Sequence, residues 1–142
     1  MIGDSGILKR AVVRSAGLVV AAFLMIGESF GGVASELTRT HSGGGVTVKV
    51  TYLNPQGEED ARFDIALDTH SVNLDAYDLK AVSVLRDEAG NAYQPIRIEN
   101  KGSGHHRQLV LVFPKPSEEV KKLELVIKDI GGVKERIFHW DF

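Results

Sequence analysis

From Gly45 onward the apolar residues recur at every second position. In "GVTVKVTYL", Val46, Val48, Val50 and Tyr52 share one side, and Thr47, Lys49 and Thr51 take the other. That period of two is the signature of a half-buried strand. "ARFDIALD" repeats it with Phe63, Ile65 and Leu67 inward. "KAVSVLRD", "YQPIRIEN", "RQLVLVFP", "KKLELVIKD" and "KERIFHWDF" complete a set of seven strand candidates, most of them separated by short turn signals such as "NPQGEED", "DEAGN" and "GGV". Pro95 cannot donate to a ladder, so "YQPIRIEN" reads as an edge strand. "RQLVLVFP" and "KKLELVIKD" are apolar enough to be central. In the last strand Phe138, Trp140 and Phe142 alternate with His139 and Asp141 and are expected to close the core. Only "SVNLDAYDLKAV" departs from this period. Its Leu74, Tyr77 and Leu79 fit one helical turn or a compact loop. The pattern predicts an all-β fold, an antiparallel β-sandwich of immunoglobulin-like topology with about seven strands. A closed barrel is the alternative.

The pattern also divides the chain. Residues 46–142 carry the strands. Residues 36–45, polar and glycine-rich, read as a flexible lead-in. Residues 1–35 read as a signal-peptide helix: Lys9, Arg10 and Arg14 come first, then the 13-residue apolar run "SAGLVVAAFLMIG", then the small residues of "GGVAS". A spanning helix needs about 20 apolar residues. The expectation is therefore cleavage after Ala34 or Ser35 and export to the periplasm or the extracellular space. Membrane attachment would arise only through an uncleaved signal segment.

Composition narrows the chemistry. From Glu36 the chain keeps 14 Lys and Arg against 17 Asp and Glu, a formal net charge of −3 with both signs interspersed. No basic stripe marks a nucleic-acid surface. The chain has no Cys, which removes thiolate nucleophiles, iron–sulfur clusters and a sandwich disulfide. Met1 and Met25 are its only methionines, so the domain has no thioether ligands for copper(I).

The remaining candidate chemistry is imidazole. His70 follows Asp68 at the end of the second strand candidate. His105 and His106 follow Gly102 and Gly104 at the start of the fifth. Strand ends gather at the rims of a sandwich, so both motifs are expected at one rim, with His70 in reach of His105 or His106. Asp68, Asp75 and Asp78 are available as oxygen ligands or to orient an imidazole. His70, His105, His106 and Asp68 are thus the candidate ligands for a zinc or copper(II) ion. Against this, consecutive strand residues point to opposite faces. No metalloprotease helix motif or nucleophile elbow is present. His41, in the lead-in, and His139 read as solvated surface residues.

Four stretches carry a resemblance: "FDIALDTHSVNLD", "LRDEAGNAYQP", "GHHR" and "IKDIGGVKERIFHW". Together they resemble a family of small exported or membrane-attached bacterial and archaeal β-sandwich domains with no assigned activity. The resemblance covers about residues 45–142. It implies a single sandwich at the cell envelope and places Asp68, His70, His105, His106 and Arg107 within its motifs. The expected function is a non-enzymatic binding or assembly module of the envelope that needs no cofactor and takes an envelope protein or small ligand as partner. The alternative is a periplasmic domain binding divalent zinc or copper through His70 with His105 or His106.

Overall fold

The computed structural model describes residues 36–142 apart from 56 and 58. The expected signal-peptide helix, 1–35, lies outside the described residues. Among the described residues there are nine strands: β1 (Thr38–Gly43), β2 (Val46–Tyr52), β3 (Ala61–Thr69), β4 (Ser83–Asp87), β5 (Ala92–Tyr93), β6 (Arg97–Gly102), β7 (His106–Phe113), β8 (Lys122–Ile130) and β9 (Val133–Asp141). They form two antiparallel sheets, of order β1-β2-β3-β7-β6 and β5-β4-β8-β9. Without β1, the first sheet has the A-B-E-D strand order of an immunoglobulin-type sandwich, and the second its C-F-G layer with β5 added at the edge. The separate strand orders exclude the closed barrel.

The alternation read from the sequence decides which side of each strand is buried. Val46, Val48, Val50 and Tyr52 on β2 are buried, as are Phe63, Ile65 and Leu67 on β3. They meet Leu123, Leu125 and Ile127 of β8 and Phe138 and Trp140 of β9 in one core. Apolar inner-face residues occupy the layer that a disulfide would cross in an antibody domain. The aromatic part of this core is continuous. Phe63 stacks on Tyr52 at 4.4 Å between ring centres and lies 5.2 Å from Trp140 and 5.7 Å from Phe113.

The two strands expected to be central are so. β7 lies between β3 and β6, and β8 between β4 and β9. Outward-facing Val110 and Val112 of β7 are nevertheless buried. Their register partners explain this: Arg62 and Arg97 flank Val112, and Glu99 flanks Val110. Arg62 is held over the sheet by two bonds to Glu99, 2.8 and 3.2 Å, so the side-chain stems cover the valines while the charges stay wet.

Three boundaries differ from the sequence pattern. The expected lead-in is strand β1, paired with β2 from Thr38↔Thr51 to Gly43↔Val46. It contains no fully buried residue, so no apolar alternation marks it. Side chains of the facing β9 hold it instead. His41 is accordingly half-buried on β1, with Nδ1 shut off from water, rather than a solvated residue. "YQPIRIEN" is two edge strands. Pro95 is where the chain leaves β5 in one sheet for β6 in the other, as its missing N–H favours. "KAVSVLRD" begins as a single α-helical turn, α1 (Leu79–Val82), before β4. Asp78 caps it by accepting from the N–H groups of Lys80 and Ala81. A 3-10 helix at Leu74–Ala76 precedes it.

Candidate functional site

The strand ends gather at two rims. The first holds the "DTHS" and "GHHR" motifs. Thr69, the last residue of β3, organises it. Its Oγ1 donates to the Gly45 carbonyl at 2.7 Å and accepts from the N–H groups of Ser71 and Val72. Its own N–H donates to the His105 carbonyl at 3.0 Å. Asp75 reaches across and accepts from the Gly104 N–H at 3.1 and 3.2 Å. Arg107 donates to the carbonyls of Leu74 and Tyr77, each at 2.7 Å. Residues 69–77 and 104–107 are therefore one cross-braced unit.

This unit separates the two adjacent histidines. Asp68 and His106 are register partners on the outer face of the five-stranded sheet. Nδ1 of His106 lies 2.5 Å from Oδ1 of Asp68, and both side chains are largely in solvent. One step along each strand the faces exchange. His105 leaves the outer face and, with His70, Ser71, Val72, Asn73, Leu74 and Gly104, lines an open depression of about 360 Å³. The structure thus brings His70 to His105 and Asp68 to His106. Asp75, considered as a ligand, spends both oxygens on the Gly104 N–H, and Asp78, the other, uses its Oδ1 to accept from the N–H groups of Lys80 and Ala81. Among the described residues, no three His, Asp or Glu side chains converge as a metal-ligand group.

Beneath the same rim lies an arrangement the sequence reading missed. Arg136 of β9 is fully buried. Its Nη1 donates to the Ile130 carbonyl at 2.6 Å and its Nη2 to the Gly43 carbonyl at 2.7 Å. The guanidinium thereby ties the β1–β2 turn to the β8–β9 turn across the sandwich. Tyr77 joins it by accepting the Gly131 N–H at 3.1 Å. Burial pushes the Arg136 guanidinium below its ordinary value, opposed by Tyr77. The available signal was parity, since Arg136 lies two residues before the inward Phe138.

At the opposite rim the strands end on aromatic residues. Trp140 is 2% exposed. Its indole N–H donates to the Leu37 carbonyl at 2.9 Å, and the Arg39 guanidinium lies 5.9 Å over its ring. Arg39 also donates to the His139 carbonyl, so β1 and β9 close one side of the sandwich. Burial raises the Tyr52 hydroxyl to about 12. Phe142, expected in the core, is instead 41% exposed. It lies past the end of β9 and packs edge-on against Tyr52, the last residue of β2. Two clefts adjoin there and share Pro55, Gly57 and Phe142. One, of about 420 Å³, adds Tyr52, Val120, Leu123, Pro116, Lys115 and Lys121. The other, of about 580 Å³, adds Leu37, Arg39, Trp140 and Asp141. Both volumes fall in the ~300–1,000 Å³ range of ordinary binding pockets.

In comparisons with known proteins, no family model, curated protein or solved structure matched the chain.

Proposed function

We propose that this protein is an exported, non-enzymatic β-sandwich that works as a binding or assembly module of the cell envelope. The observation that carries the reading is the pair of clefts around half-exposed Phe142. An apolar floor of Tyr52, Val120, Leu123 and Phe142 is rimmed by Lys115, Lys121, Glu59 and Glu118. Apolar floor and rim charges of both signs suit an extended polypeptide segment that inserts an apolar side chain and pairs its polar flanks with the rim. The occupant is therefore a segment of a partner envelope protein. The N-terminal pattern of residues 1–35, and the resemblance of residues 45–142 to small envelope domains, support the cellular setting.

A photo-crosslinking residue placed at position 142 tests this in the native host. A second probe at Lys49, on the outer face of the five-stranded sheet, is the control. The expected result is a discrete adduct from position 142, absent from position 49 and suppressed by Val120→Glu. The intact mass of the recovered protein should begin at Ser35 or Glu36. Equal labelling from both positions, or none from 142, would remove the cleft as the binding surface. A mass that includes residues 1–34 would remove release by cleavage.

A further inference from the structure

We propose that His70 and His105 form a two-imidazole site for one divalent transition-metal ion, copper(II) being the tightest-held, and that His106 takes no part in it. The proposal stands apart from the cleft, which lies at the other rim. Three observations carry it. First, His70 and His105 line one depression, together with Ser71, Val72, Asn73, Leu74 and Gly104. Second, among the described residues neither ring has a hydrogen-bond partner, and His106 does not line this depression but stands on the outer face beside Asp68, 2.5 Å away. Third, the frame that carries both rings is built. Thr69 N–H to the His105 carbonyl, Asp75 to Gly104 N–H, and Arg107 to the carbonyls of Leu74 and Tyr77 fix the two segments to each other.

A fixed frame matters because ordering flexible ligands is a main cost of binding. None of these braces uses an imidazole, so both rings keep their lone pairs. Two nitrogens bind one ion at about 2 Å each, which requires the rings to close to within roughly 4 Å. Both side chains are exposed and free to rotate toward one another. Waters or a partner's group complete the coordination. Imidazole nitrogen suits copper(II) and zinc, and copper(II) stands highest among the divalent ions for such donors.

The test is copper(II) titration of the tag-free protein, followed calorimetrically against a glycine competitor, with electron paramagnetic resonance to count bound nitrogens. His70→Ala, His105→Ala and His106→Ala are compared with the parent. The expected result is one ion per chain with two-nitrogen splitting. Each of the first two variants should lose affinity by about tenfold or more, a loss of about 1.4 kcal/mol or more, with one nitrogen remaining. His106→Ala should match the parent. Because the His70 and His105 imidazoles brace nothing, and the His106–Asp68 pair is solvent-exposed and contributes little, all three variants should melt close to the parent, so a lost signal reports ligation rather than unfolding. No binding in the parent, a loss in His106→Ala equal to that in His105→Ala, or binding retained in both His70→Ala and His105→Ala would overturn the proposal.

Discussion

Substituting Gly44 by Ala should damage this protein far more than the same change at Gly90, although both glycines have a left-handed backbone. Gly44 has φ of +60° and Gly90 of +88°. Any residue with a Cβ pays about 1–2 kcal/mol there. At Gly90 a Cβ meets nothing within 4 Å, so the loss should stop at that figure. At Gly44 it would stand 1.9 Å from the Gly131 carbonyl oxygen and 2.9 Å from its carbon. Both are backbone atoms and cannot rotate away. The β1–β2 and β8–β9 turns must separate, which adds roughly 1–3 kcal/mol of overpacking. Separation also stretches the Arg136 bonds to Gly43 and Ile130, and a hydrogen bond from a charged group is worth about 1.5–3 kcal/mol. Counting one such bond as lost, the total for Gly44→Ala is about 3.5–8 kcal/mol. Equilibrium urea unfolding measures both variants, with fluorescence of Trp140, the only tryptophan, as the probe. A Gly44→Ala loss within about 1 kcal/mol of the Gly90→Ala loss, against the several expected from the overpacking and hydrogen-bond terms, would refute the reasoning. It would mean that the two turns are not in contact.

Trp140→Ala should cost about 3–5 kcal/mol, as for other large buried aromatics, and Trp140→Phe less, chiefly the bond to the Leu37 carbonyl; thermal melts followed by circular dichroism check both. Asp87 supplies a pH signature. Burial pushes its carboxyl up, but bonds from the Asn91 side chain and backbone N–H and from the Tyr93 hydroxyl outweigh this and leave it below the ordinary value. A lowered carboxyl stabilises the fold above its unfolded value of about 3.9, and that stability is lost as pH falls through the folded value. Urea unfolding of Asp87→Asn against the parent should therefore show a shallower loss of stability below about pH 4; equal slopes in the two proteins would count against Asp87 as the group responsible.

The local pattern determined the inner faces of the long strands. Val46, Val48, Val50, Phe63, Ile65, Leu67, Phe138 and Trp140 are all buried as their alternation requires, because burial on one side of a pleated strand imposes a period of two on the sequence. Pro95 marked the sheet edge for a similarly local reason, its missing donor. Alternation could not reveal elements held by something other than apolar burial. β1 is a strand through its ladder with β2, through its own Arg39, which donates to the His139 carbonyl of β9, and through Arg136 and Trp140, which donate to the carbonyls of Gly43 and Leu37, across separations of up to 103 residues. The burial of Arg136 depends on two carbonyls in turns that meet only when both sheets are stacked. Phe142 continued the alternation but lies past the end of β9 and is left 41% exposed beside Tyr52. The histidine motifs were legible as residue types at strand ends, and the objection that adjacent strand residues diverge was correct for His105 and His106. Which imidazole joins which partner followed from the register of β3 against β7, since a shift of one residue would have exchanged every face, and register is set by contacts between segments about 38 residues apart.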